Sequence, residues 1–177
     1  MQSLEVLILH LDQHKLGLRD ATDGPITFER RAARGVLFND AGKVAVMHFT
    51  ATGSYKLPGG GIDEGEEIIA ALHREIREET GYEISAISEL GVVTENRFYC
   101  AMSQTSYCFS ARVGEFVGTE LTEQEAAGGM ELQWFDTIEQ AIAAVESSSK
   151  TDEEGSQVGL QMMILRDTAI LQAARAR

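Results

Sequence analysis

The sequence predicts a mixed α/β domain, a strand-rich sheet with one helix inserted early and others late. Three observations predict it. A helical hydrophobic pattern occupies residues 66–80, strand-like runs flank it on both sides, and strict strand–helix alternation is absent. The last point excludes a doubly wound parallel fold. A chain of 177 residues fits one domain over 1–177, long enough to bury a core without disulfides or structural metal.

Residues 4–10, LEVLILH, read as a strand, and the polar stretch 11–25 with Gly17, Gly24 and Pro25 as a hairpin or loop. Residues 27–38 read as a strand ending in RGVLF. Asn39-Asp40-Ala41-Gly42 is a turn, because these residues tolerate tight-turn dihedrals. KVAVMHF, 43–49, is apolar on both faces and reads as a central strand. On the helix at 66–80, Ile68, Ile69, Leu72 and Ile76 recur at helical spacing, and Gly81 suits the stop. Residues 87–93 read as strand. In 105–113, Tyr107, Phe109, Ala111 and Val113 alternate with Ser106, Cys108, Ser110 and Arg112, which predicts a half-buried strand. Residues 114–130 read as an acidic loop and MELQWF, 130–135, as a short strand. Thr137 and Gln140 suggest a capping box opening a helix at 138–146. A polar connector, 147–156, leads to a last helix at about 157–175.

Composition narrows the function classes. Hydrophobic residues at 44% and charged residues at 24% are ordinary for a soluble globular protein. A net charge of −13 argues against a nucleic-acid backbone binder, which needs a basic footprint. A small anionic substrate stays compatible, because bound divalent cations reverse the local sign. Cys100 and Cys108 fit no zinc or redox spacing and read as reduced thiols, which points to a cytoplasmic location. The N-terminal run lacks the basic flank and cleavage site of a signal peptide, and no apolar run reaches membrane-spanning length. No membrane partner is expected.

The informative segment is GGIDEGEEIIAALHREIREETGY, 60–82. On its helix Glu75, Glu78 and Glu79 stand at i, i+3 and i+4 and share one face. Like charges so placed destabilise a purely structural helix, and a divalent cation removes that cost. Oxygen-rich sites suit Mg²⁺ or Mn²⁺. Ile68 and Leu72 lie on nearly the same side, so the acids border the buried face. Three glutamates alone favour a solvated face, with Arg74 pairing Glu78 at i+4.

The full spacing decides. Gly60, five residues, Glu66, seven residues, then Arg74-Glu75-Ile76-x-Glu78-Glu79-x-Gly81-Tyr82 resembles the Nudix box, the signature of Nudix hydrolases. Seven fixed letters match; at frequencies of about 7% each, chance would give this about once in a million such chains. Tyr82 stands where an aliphatic residue is commoner. The preceding KLPGG, the N-terminal strand pair and the late ELQWF with its capped helix also resemble the family layout.

The resemblance implies an α/β/α sandwich with a mixed central sheet. It implies hydrolysis of the pyrophosphate link in a nucleoside diphosphate joined to another group, with Mg²⁺ or Mn²⁺ as cofactor. By position, Glu75, Glu78 and Glu79 would hold the metal, the Gly60 carbonyl would add a ligand, and Arg74 would orient a glutamate through Glu66 or Glu78. Glu66 and Gly81 would be structural. The base would be Glu75 or a glutamate from the acidic loop, where Glu120, Glu123 and Glu125 stand, with Glu125 or Glu123 preferred. A nucleoside triphosphate is the expected substrate. A proline found some fifteen residues past the box in an ADP-ribose subgroup is absent here; Tyr99 matches the position of a tyrosine in a dinucleoside polyphosphate subgroup but fits ordinary packing as well.

Other residues are open in both directions. Arg30 and Arg34 share a strand face and either meet phosphate or face water, as does Arg31. Tyr55 either stacks on a base or packs. Met162 and Met163 read as packing, a pocket wall or a homodimer contact. His10, His14, His48 and His73 have no metal-ligand spacing. The competing classes are a nucleotide-sensing binder on the same fold, disfavoured by the complete set of box acids, and an isomerase, for which no catalytic arrangement stands out.

Overall fold

A computed structural model describes residues 6–149 and 156–176. The expected first strand's residues 4 and 5, and 150–155 of the connector, lie outside the described residues. The elements are β1 (Leu7–Asp12), β2 (Phe28–Phe38), β3 (Val44–Phe49), β4 (Ser54–Lys56), α1 (Ile68–Thr80), β5 (Tyr82–Arg97), β6 (Met102–Phe116), α2 (Glu123–Ala127), β7 (Met130–Phe135), α3 (Ile138–Glu146) and α4 (Gln157–Arg175).

All seven described strands belong to one sheet in the order β1-β5-β6-β2-β3-β4, with β7 also paired to β3. The sheet is mixed: β1 runs parallel to β5 and β2 parallel to β6, while β5–β6, β2–β3, β3–β4 and β3–β7 are antiparallel. Residues 11–25 are thus not a hairpin. Leu11 and Asp12 end β1, and residues 13–27 form a crossing loop that carries the chain from the β1 edge past β5 and β6 to β2. Asp23 ties this loop down, accepting from Gln13 Nε2 at 2.6 Å and pairing with His14 Nε2 at 2.9 Å.

Helices cover both faces. On one, Ala71, Leu72 and Ile76 of α1 pack on Ala33, Leu37, Ala45 and Phe109. On the other, Ile138, Ala141 and Val145 of α3 and Met162, Ile170 and Leu171 of α4 pack on Val36, Val44, Val46 and Val93. This is the expected α/β/α sandwich. Each fully buried Leu or Ile contributes about 1.5–3 kcal/mol, so Leu72 and Ile76 suffice to fix which way the glutamates of α1 face. Gly81 ends α1 at φ +76°, and its N–H caps the Arg77 carbonyl. Among the described residues no helix is long and apolar enough to cross a membrane.

Three expectations need correction. The strand at 105–113 is half-buried only at its far end, where Ser110 is partly exposed and Arg112 exposed; Gln104, Ser106 and Cys108, on its polar side, are fully buried. The acids, arginines and apolar residues of β5 and α4 cover that side, so polarity marks an internal ionic layer rather than solvent. The acidic loop contains a helical turn, α2, whose Thr122–Glu125 capping box is fully formed. At α3, Thr137 Oγ1 accepts from Gln140 N at 3.2 Å, but Gln140 Oε1 accepts from Asp136 N at 3.0 Å, so only half of the expected box forms there.

Candidate active site

The glycine run lies along the edge of β2. Gly35 N donates to the Pro58 carbonyl and Ala33 N to the Gly60 carbonyl, both at 3.0 Å; Ile62 N donates to the Arg31 carbonyl at 2.9 Å. This ladder brings the run against α1. A Cβ on Gly60 would run into the Glu75 carboxylate, and a Cβ on Gly59, at φ +125°, into the Ala33 carbonyl. Glycine at these positions is required by close approach and by backbone conformation.

Arg74 organises the box. Its Nε and Nη2 donate to the two Glu66 oxygens, both at 2.9 Å, and Nη2 also donates to the Gly61 carbonyl at 2.9 Å. Its Nη1 donates to Glu75 Oε1 at 2.8 Å and Glu78 Oε2 at 3.3 Å. One guanidinium thus binds loop, clamp and two metal-site candidates at once, a bidentate geometry that an ammonium could not reproduce. Glu79 is buried. Gly59 N donates to its Oε2 at 2.8 Å, and Lys56 Nζ lies 3.2 Å from its Oε1.

Electrostatics separate these acids. Hydrogen bonds from Arg74 first, and from the Asp63 N–H second, hold Glu66 down at about 2. Burial pushes Glu75 up, and Arg74 offsets only part of that. Burial also pushes Glu79 up against the pull of Lys56. Two desolvated carboxylates with raised proton affinity, beside an acid that stays ionised, are characteristic of functional sites.

These residues open on a cavity of about 380 Å³. Glu75, Glu78, Glu79, Arg74 and Gly60 line it, together with Arg30, Arg34 and Lys56 and with Gln124 and Glu125 of α2. All donors offered by the glutamates and Gly60 are oxygen, which fits a hard divalent cation. Among the described residues no three His, Cys, Asp or Glu side chains are already gathered as a ligand set. Arg74 and Lys56 hold the glutamates in place, so a cation would have to draw them off these partners.

Not every expected residue meets the cavity. Glu66 and Gly81 stay outside it as clamp and helix cap. Glu125 reaches it, but its Oε2 accepts from Thr122 N and Oγ1. Glu123 does not line it, and Glu120 pairs with Arg77 at 2.7 Å. Tyr55 stacks on His48 with ring centroids 4.3 Å apart, and Tyr99 packs on the α4-side core, so neither is on the cavity wall. Arg31 lies over the Tyr107 ring at 5.4 Å and is also off the wall. Lys56 was missed; its signal was a lone cation directly before the Leu57-Pro58-Gly59 turn. A buried ionic layer was missed too: Glu95 accepts from Arg97 at 2.7 Å, Arg166 lies 3.5 Å from Glu95, and Asp167 accepts from Arg166 at 2.6 Å. Asp167 also accepts from Leu57 N at 2.8 Å, which ties α4 to the glycine run.

Fold and site together define a family in which a glutamate-bearing helix faces a glycine loop. Residues 28–152 match the model of the NUDIX domain, and the chain belongs to that family. It is 34% identical over 83 residues to Nudix hydrolase 10 of Arabidopsis thaliana, a match covering 46% of this chain and 30% of that relative. The chain thus spans about a third of the length of the curated relative it matches. Its fold resembles a NUDIX hydrolase from Nitrosomonas europaea, with TM-score 0.57 and 23% identity over 79% of this chain and 88% of the other. It also resembles a MutT NUDIX hydrolase from Burkholderia pseudomallei, with TM-score 0.53 and 18% identity over 70% of this chain and 100% of the other.

Proposed function

We propose that this protein is a divalent-cation-dependent hydrolase that splits the pyrophosphate link of a nucleoside diphosphate joined to another group, with nucleoside triphosphates as substrate. One observation carries the reading. The cavity has an acidic wall, Glu75, Glu78 and Glu79, and basic side chains, Arg30, Arg34 and Lys56, within the same 380 Å³. A cation and a polyphosphate are the ligands that satisfy both at once.

Mg²⁺ or Mn²⁺ held by Glu75, Glu78, Glu79 and the Gly60 carbonyl would neutralise the diphosphate and stabilise the leaving oxygen. The chain's own residues set the geometry. Arg74 holds Glu75 and Glu78 at fixed angles, and Glu66 holds Arg74. Gly60 leaves the space in which Glu75 sits. Glu75 is the candidate base on α1, since Arg74 bonds its Oε1 and the residue lines the cavity. Lys56 lines the same cavity and would offer its charge to a phosphate oxygen there.

The test is a panel of nucleoside triphosphates, nucleotide sugars, ADP-ribose and dinucleoside polyphosphates with Mg²⁺, with products identified. Cleavage of a triphosphate to a monophosphate and pyrophosphate is expected. Glu78→Gln should lower turnover about a hundredfold or more while the thermal midpoint stays near wild type, since Glu78 is half-exposed. Near-normal turnover in this variant would overturn the site. Nucleotide binding with no cleavage across the panel would favour a sensor.

A further inference from the structure

The ionic layer beneath α4 does not balance. Among the described residues, Arg34, Arg97 and Arg166 face Glu95 and Asp167, so three buried guanidiniums share two buried carboxylates. Cys108, beside them, is pushed up to about 12 by burial and stays a neutral thiol. The surplus falls on Arg34. Glu95 serves Arg97 and Arg166, and Asp167 serves Arg166 and Leu57 N. Among the described residues, Arg34 makes one hydrogen bond, from Nη1 to the Gly59 carbonyl at 3.0 Å, and its buried Nε has no partner. A buried charge with an unused donor costs several kcal/mol unless a counter-ion arrives. Arg34 is also the member of this layer that lines the cavity, with Arg30 four residues along the same strand face. Burial, with Arg166 adding repulsion, lowers Arg34 to about 10.

We propose that this surplus is a built anion site: Arg34, backed by Arg166 and accompanied by Arg30, receives one phosphate of the substrate. The ligand class is an inorganic or organic diphosphate or longer chain. A phosphate on Arg34 and a cation-bridged phosphate on the glutamates are two separate anchors. The cavity thereby selects a chain of at least two phosphates over a single phosphoester. This rests on the hydrolase reading for the identity of the substrate, but the anion site is testable without turnover.

The experiment compares wild type and Arg34→Gln in EDTA and in Mg²⁺, by calorimetry and thermal unfolding, with inorganic pyrophosphate and inorganic phosphate as probes. Gln keeps a donor for the Gly59 carbonyl and removes the charge. The expected result is that pyrophosphate binds wild type more tightly than phosphate does. Arg34→Gln should lose about ten- to a hundredfold in pyrophosphate affinity. Without anion, its unfolding midpoint should equal or exceed wild type, because the layer then balances. On a cleaved nucleotide its KM should rise more than its kcat falls. A purely structural arginine would give the reverse, a lower midpoint with unchanged pyrophosphate affinity, and that result overturns the proposal. Should Arg34→Gln not fold, Arg34→Lys decides: an ammonium lacks the planar fork that gives an anion two parallel donors beside the Gly59 bond, so pyrophosphate affinity equal to wild type overturns it. Pyrophosphate binding that depends on Arg34 in a protein that cleaves nothing supports the anion site and removes the hydrolase reading alone.

Discussion

Two ionic clusters flank the glycine run, and they differ in the sign left over. On α1 and its lead-in loop, Glu66, Glu75, Glu78 and Glu79 share Arg74 and Lys56. Under α4, three arginines share Glu95 and Asp167. The first cluster opens to the cavity and has acid to spare. The second is sealed except where Arg34 meets the cavity, and has base to spare. A folded protein tolerates unbalanced buried charge where a ligand completes it. The difference teaches that the cavity lining draws on two clusters of opposite surplus, the carboxylates of the box and Arg34 of the layer beneath α4.

The comparison breaks most readily from the sealed side. Glu95→Gln leaves Arg97 and Arg166 facing a single carboxylate, and should cost about 3–5 kcal/mol in urea unfolding. A loss below about 1 kcal/mol would mean that the layer is wet, and the contrast with α1 would fail. The next effect belongs to the open side. Gly60→Ala pushes a methyl into the Glu75 carboxylate. Mn²⁺ affinity, read by electron paramagnetic resonance, should fall about ten- to a hundredfold, with the fold retained. Unchanged affinity would remove Glu75 from the cation's place.

The smallest effect is a pH signature of the Arg74 clamp. Glu66 sits at about 2 against an ordinary 4.5, so its contribution to stability is present above pH 4.5 and is lost as the pH falls from there through about 2. Glu66→Gln should therefore be less stable than wild type at pH 7 by about 1 kcal/mol. That gap should close towards pH 2 in thermal unfolding. A gap that is constant with pH would mean that Glu66 acts by shape and not by charge.

Much of the fold was legible because it is local. Leu72 and Ile76 repeat at helical spacing, Gly81 supplies the left-handed stop, and α4 falls at 157–175 as its pattern suggests. The box acids were legible too, because Gly60, Glu66 and Arg74–Glu79 are close in sequence and share one helix and its lead-in. The buried face of β6 was not. Gln104, Ser106 and Cys108 alternate like a solvent face, and only the distant Glu95 and Arg166 turn that face into an interior. Tyr55 and Tyr99, open in the sequence between packing and a ligand contact, are packed away from the cavity wall, a choice that spacing along the chain does not make.

The sequence by itself determined the family, the sandwich class and the glutamate face of α1, since each follows from short-range periodicity and spacing. Only the tertiary structure decided that Arg34, among the described residues, pairs with no carboxylate, that Lys56 holds Glu79, and that Asp167 reaches Leu57 from the far helix. Those facts depend on which charges meet after the chain has crossed the sheet. Coulomb pairing and desolvation act through space, and no spacing along the chain records them.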